Sequence, residues 1–157
     1  YHNAPLIYGA FEALNEIYQS SKFKLLGYLS ARPVNVLNKT IEEINKKKLP
    51  ELPIVLRNTE IDFHSSVDWK IKIINEVLKN MHSKLIVIDD NYDLIKSLKQ
   101  MACYEKRIFS ILFKGPLTYQ KISEENIVSE ENKNFFVGDW LTIPGILNNQ
   151  IGQENER

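Results

Sequence analysis

Leu85-Ile86-Val87-Ile88 is a purely aliphatic run that stops at Asp89-Asp90, and a helical pattern follows at once. A strand that is apolar at every position needs cover on both faces, which is the situation of a parallel sheet with helices packed against it. In an open α/β sheet the ligand crevice lies outside the carboxyl ends of the strands. Carboxylates placed there suit a hard cation such as Mg²⁺, which takes oxygen ligands.

The rest of the chain repeats this alternation. Phe11, Leu14, Ile17 and Tyr18 share one face of a first helix after Gly9. Residues 24–29 read as a strand, with Pro33 marking the turn out of it. Val36, Leu37, Ile41 and Ile44 suit a second helix, ended by Lys46-Lys47-Lys48 and Pro50, and residues 53–56 form a second strand. Ser65, with Asp68 three residues on, reads as a capping box for a helix carrying Ile71, Ile74, Leu78 and Met81. After the strand at 85–88 come a helix through Leu94, Ile95, Leu98 and Met101, then a strand at 107–113. Phe135-Phe136-Val137 suits one more short strand. Strands alternating with helices of roughly 10–15 residues predict βαβ units. The expected fold is therefore α/β, a doubly wound, mainly parallel Rossmann-like sheet with helices on both faces. Residues 1–115 are expected to form this core. Residues 116–157 are read as a C-terminal extension packing on it, polar and tail-like from about 148.

Composition excludes several classes of function. Lys+Arg and Asp+Glu balance at 20 each, so no overall field draws the chain to nucleic acid. No apolar run approaches a membrane span, and no signal peptide is visible. The lone Cys103 forms no intrachain disulfide, which points to a reducing, cytoplasmic setting. His2, His64 and His82 are scattered without ligand spacing, and no glycine-rich phosphate loop is present.

Three places carry candidate chemistry. Ser30 follows the strand at 24–29, where a hydroxyl can donate to a phosphate oxygen or cap the next helix. Lys70 and Lys72 lie near the start of the helix before the acidic strand, and only one of the two can face the sheet. Asp89, Asp90 and Asp93 offer metal-binding carboxylates. The competing role is capping, with Asp90 or Asn91 as the cap and Asp93 in the first turn.

The order Ser30, then Lys70, then Asp89-Asp90 resembles motifs II, III and IV of the haloacid-dehalogenase (HAD) superfamily over residues 5–115. Tyr28-Leu29-Ser30-Ala31-Arg32-Pro33, followed by Leu49-Pro50-Glu51-Leu52-Pro53-Ile54-Val55-Leu56-Arg57, is similar to the YLSARP…LPxGPxLLR stretch of its lipin-type phosphatidate phosphatases. A His-Lys pair of that branch would map to Trp69-Lys70, which favours Lys70 over Lys72. The resemblance implies an Mg²⁺-dependent phosphatase working through an aspartyl-phosphate on a phosphorylated small molecule or lipid phosphate. Ser30 and Lys70 would contact phosphate, and Asp89 or Asp90, with Asp93 as a further candidate, would bind Mg²⁺.

The chain departs from that pattern in three ways. Trp69 replaces the His, Ile88-Asp89 replaces the usual Gly-Asp, and no DxDx(T/V) motif supplies the nucleophile and its acid/base partner. In the family fold the missing strand lies between those of motifs II and IV, so a segment preceding Tyr1 is expected to fill the slot. Residues 135–142 are the weaker alternative filler, with a C-terminal edge strand as their plainer reading. The alternative function is a catalytically inactive HAD-like binding or scaffold domain.

Overall fold

Strand pairing divides the chain in two. In the computed structural model, which describes residues 8–114 and 134–152, the strands are parallel and belong to two small sheets. The sheets lie in separate compact units, Tyr1–Lys70 and Ile71–Arg157, and the protein is mixed α/β. The expected boundary near residue 115 falls in the stretch outside the described residues.

The first unit contains helix α1 (Ala10–Gln19), strand β1 (Tyr28–Pro33), a 3₁₀ turn at Val34–Val36, helix α2 (Leu37–Lys46) and strand β2 (Ile54–Arg57). On α1 the buried side chains are Ala10, Ala13, Leu14 and Ile17, a stripe at helical spacing. Phe11 and Tyr18, expected on the core face, sit beside that stripe and are exposed. The small alanines take the core-facing positions instead. Strand β1 begins four residues later than the apolar run suggested, because its partner sets the register. Tyr28 pairs with Ile54, and its N–H donates to the Pro53 carbonyl at 2.9 Å. Gly27 makes this approach possible, since a Cβ there would stand 2.6 Å from the Pro53 oxygen.

Helix α2 closes in a Schellman arrangement. The Leu49 N–H donates to the Ile44 carbonyl and the Lys48 N–H to that of Asn45, with Lys48 at φ 55°. A lysine in the left-handed region carries a Cβ penalty that glycine lacks. Lys48→Gly is therefore expected to raise stability by about 0.5–1 kcal/mol, read as a higher urea midpoint. An unchanged or lower midpoint would mean the position is unstrained.

The Tyr28 hydroxyl donates to the Pro50 carbonyl at 2.8 Å, and burial pushes its pKa up to about 12 from 10.0. The unfolded phenol ionises near 10, so between pH 10 and 12 the unfolded chain holds fewer protons than the folded one. The stabilisation is complete below pH 10 and is lost as pH rises through 12. A stability profile should fall over this window, and Tyr28→Phe should flatten part of the fall.

The boundary between the units falls within helix α3 (Ser66–Lys79). The Ser65 hydroxyl accepts from the Asp68 N–H at 3.1 Å, as the capping box predicts. The second unit continues with β3 (Leu85–Asp89), α4 (Tyr92–Lys99), a short α5 (Tyr104–Arg107) and β4 (Ile108–Phe113). After the undescribed stretch come β5 (Phe135–Gly138), a single helical turn α6 (Ile143–Ile146) and a π-helical turn at Leu147–Ile151. The sheet order is β3-β4-β5, with Ile86 opposite Phe109 and Ile111 opposite Phe136. All six residues of central β4 are buried, which matches an apolar run covered on both faces. Strand β5 is an edge strand on β4, on the side away from β3, so it does not fill the position beside β3. Leu147 and Ile151 are buried, with exposed residues 148–150 between them, and the rest of the expected polar tail, 153–157, lies outside the described residues. The two apolar residues at a four-residue spacing outweigh the polar ones between them.

Candidate functional site

Each sequence-predicted residue has a defined local setting. Asp89 is the last residue of β3, opposite Leu112, and so stands at the carboxyl end of a parallel strand. Its Oδ1 accepts the Asn91 N–H at 2.8 Å, which bends the chain out of the strand. Asn91 is the cap of α4, its Oδ1 accepting from the Asp93 and Leu94 N–H groups at 2.9 and 3.3 Å. Of the two expected caps, Asn91 takes the N-cap position. Asp89 is half-buried, Asp90 exposed, and Asp93 exposed in the first turn of α4, where an acid favours the helix dipole.

The three acids do not close into a cage. Among the described residues no three His, Cys, Asp or Glu side chains stand close enough together to hold a metal ion between them. Mg²⁺ does not require this, since it is often held by one or two carboxylates, with water and substrate phosphate completing its shell. Asp89 and Asp90, hard oxygen donors at a strand end, fit that sparse mode. Asp93 adds nothing that the fit needs.

In the first unit, Ser30 is the third residue of β1 rather than a residue beyond its end. It is opposite Leu56, the last pair before the register breaks toward Pro33 and Arg57. Its Oγ accepts the Arg32 N–H at 3.3 Å, which leaves the hydroxyl hydrogen able to donate. Neither the Val34–Val36 turn nor α2 has a side-chain cap, so Ser30 does not cap the next helix. Arg32 lies beside Glu43 at 3.1 Å. Burial alone would raise the Glu43 carboxyl, but the Arg32 guanidinium overrides it and holds the pKa below the usual value.

Lys70 is half-buried and Lys72 exposed, in keeping with two positions on different sides of a helix. Trp69, at the place of the family's His, is a core residue at 4% exposure and has no titratable group to offer. His64, read as an ordinary surface residue, has its ring Nδ1 2.9 Å from Asp62 Oδ1 in the loop after β2. That loop also presents Ile61 and Phe63 outward, a feature the strand-and-helix pattern passed over. Two large apolar residues interrupting an Asn/Asp/Glu/Ser-rich turn were its visible signal.

Comparison with family models, with curated proteins and with solved structures returned no match. Among the described residues, no helix is long and apolar enough to cross a membrane.

Proposed function

We propose that this chain belongs to an Mg²⁺-dependent phosphatase-like protein of the HAD superfamily, built on a doubly wound, mainly parallel sheet with helices on both faces, which hydrolyses a phosphomonoester through an aspartyl-phosphate if a DxD segment lies upstream of Tyr1. The observation that carries the reading is the end of β3. A half-buried Asp89 and an exposed Asp90 terminate a parallel strand just ahead of a helix that is already capped by Asn91. Asp89 turns the chain out of the strand by accepting the Asn91 N–H, and the position is where α/β sheets bind ligands.

When bound, Mg²⁺ supplies charge neutralisation for a phosphoryl group. Asp89 and Asp90 would hold it. By the resemblance, the Ser30 hydroxyl would donate to a phosphate oxygen and the Lys70 ammonium would neutralise phosphate charge. None of these residues is assigned as nucleophile, because no DxD motif occurs in the sequence. The substrate class is a phosphomonoester, with a lipid phosphate such as phosphatidate as its narrower form. A reducing, cytoplasmic setting agrees with the single Cys103.

A second reading, an inactive HAD-like binding or scaffold domain, is favoured by Trp69 in place of the His and by Ile88-Asp89 in place of the Gly-Asp. One assay separates the two: phosphate release by the full-length protein from p-nitrophenyl phosphate and from phosphatidate, with and without Mg²⁺. The phosphatase reading expects Mg²⁺-dependent release that falls by about 10²–10³ in Lys70→Ala. Release that ignores Mg²⁺, or its absence from both substrates, would favour the inactive domain.

A further inference from the structure

Asp62 and His64, in the loop between β2 and α3, form a dyad. The Asp62 Oδ1 accepts the His64 backbone N–H at 3.0 Å and stands 2.9 Å from the ring Nδ1. The Asp62 side chain is 11% exposed and that of His64 60%, so the carboxylate is the fixed member and the ring the accessible one. An ionised carboxylate only accepts, so Nδ1 carries the hydrogen and Nε2 is where this ring gains and loses its proton. Arg57 Nη1 donates to the His64 carbonyl at 3.1 Å. Arg57 is the last residue of β2 and pairs with Pro33, the last residue of β1. The loop is thereby returned to the place where both parallel strands end. Ser30 lies on β1 just before that end, and Ser65, next to His64, caps the helix that carries Lys70 near its start. All of these residues belong to the first unit.

We propose that His64 is the proton donor to the leaving oxygen when a phosphomonoester held by Ser30 is cleaved, with Asp62 as its positioning residue. The inference rests on the phosphomonoester reading above and narrows the substrate class to alkyl phosphomonoesters, whose alkoxide leaving groups need a proton. As the bond from phosphorus to the ester oxygen breaks, the imidazolium gives its Nε2 proton to that oxygen, which departs as the alcohol. The neutral ring keeps its Nδ1–H on Asp62. It regains a proton at Nε2 from the water that attacks phosphorus to release inorganic phosphate. The sum is ester plus water to alcohol plus phosphate, with the dyad unchanged. Trp69, at the place of the family's His, has no proton to give, and His64 supplies one from the same segment. A zinc-type role for the ring needs companion ligands, and among the described residues no three His, Cys, Asp or Glu side chains stand together.

The test compares two substrates in the full-length protein with Mg²⁺. Glycerol 2-phosphate releases an alkoxide that must be protonated, whereas p-nitrophenyl phosphate releases a phenolate stable enough to leave without help. A positioned acid contributes about 10²–10⁴ in rate, so in His64→Gln the ratio of kcat/KM for glycerol 2-phosphate to that for p-nitrophenyl phosphate should fall by at least about 10²-fold. Asp62→Ala should lower the same ratio, and nitrogen NMR should show the His64 ring moving from the Nδ1–H to the Nε2–H tautomer. Asp62→Asn, whose amide oxygen can accept both N–H groups, should hold the original tautomer. A ratio unchanged in His64→Gln would overturn the proposal while leaving the phosphomonoester reading intact, and would mark the dyad as a support of the loop alone. An Nε2–H tautomer in the unaltered protein would also overturn it. No release from either substrate by the unaltered protein would instead defeat the phosphomonoester reading, and this proposal with it.

Discussion

Phe109→Ala is expected to lower stability by about 3–5 kcal/mol, the range for deleting a buried aromatic ring. Phe109 is 0% exposed on β4, opposite Ile86 of β3, with the Lys84 ammonium 4.9 Å from its ring centre. The cost depends on whether the surroundings can collapse into the space. Here β4 is held between β3 and β5 by hydrogen bonds along both edges, so the backbone cannot close in. With a urea m-value of about 1–3 kcal/mol/M, the midpoint should fall by more than about 1 M. A loss below about 1 kcal/mol would show that the ring sits in a site that relaxes, and that β4 is not the centre of this unit. Because β3 pairs with no other strand among the described residues, the same variant should loosen the strand that presents Asp89.

Asn134→Ala is the second large effect, and its origin is polar. Asn134 is 4% exposed, and its amide donates to the carbonyls of Tyr104, Glu105 and Ile108 at 3.4, 3.0 and 2.9 Å. It thereby satisfies the last turn of α5 and the start of β4 from the segment that leads into β5. Its own carbonyl accepts from the Tyr104 hydroxyl at 3.1 Å, and that hydroxyl lies 2.7 Å from Ser110 Oγ. The Tyr104 carbonyl keeps the Ile108 N–H, but the Glu105 and Ile108 carbonyls lose the amide at about 1–3 kcal/mol each, so a total loss of about 2–4 kcal/mol is expected. Asn134→Asp keeps the shape but replaces both N–H donors with acceptor oxygens facing carbonyls, and should cost at least as much. If Asn134→Asp were neutral in equilibrium unfolding, the amide would not be what joins these elements.

The second unit was the more legible one, for a physical reason. The helix through Leu94, Ile95 and Leu98 and the strand Ile108–Phe113 are buried enough for apolar periodicity to reflect packing directly, while β3 is fully buried only at Leu85. Leu94, Ile95 and Leu98 are all at 0% exposure. In the first unit β1 and β2 are only partly covered, so hydrophobicity did not mark their limits. The run at 24–29 lost its first residues to a connection, since the start of β1 is set by Pro53 and Gly27 across the pair. Asn134 could not be found from periodicity at all, as its role rests on three carbonyls some thirty residues earlier in the chain. At the candidate site, the acids ending β3 were readable because polarity changes abruptly at Asp89. That Asn91, not Asp90, takes the capping role was left open by the sequence, where both types are good caps. The loop with Ile61 and Phe63 was missed because its order comes from side-chain hydrogen bonds within the loop, which leave no repeat in the sequence.

The central claim is that the acidic end of β3 binds a divalent cation. Its most direct test is paramagnetic broadening of amide NMR signals by Mn²⁺ standing in for Mg²⁺, in the unaltered chain and in Asp89→Asn. The substitution keeps an oxygen that can accept the Asn91 N–H, so the turn at the end of β3 persists while the charge is lost. The account predicts selective broadening of the amides of Asp89, Asp90 and Asn91, reversed by excess Mg²⁺ and lost in Asp89→Asn with the remaining spectrum unchanged. Broadening centred elsewhere, or retained in full by Asp89→Asn, would contradict it.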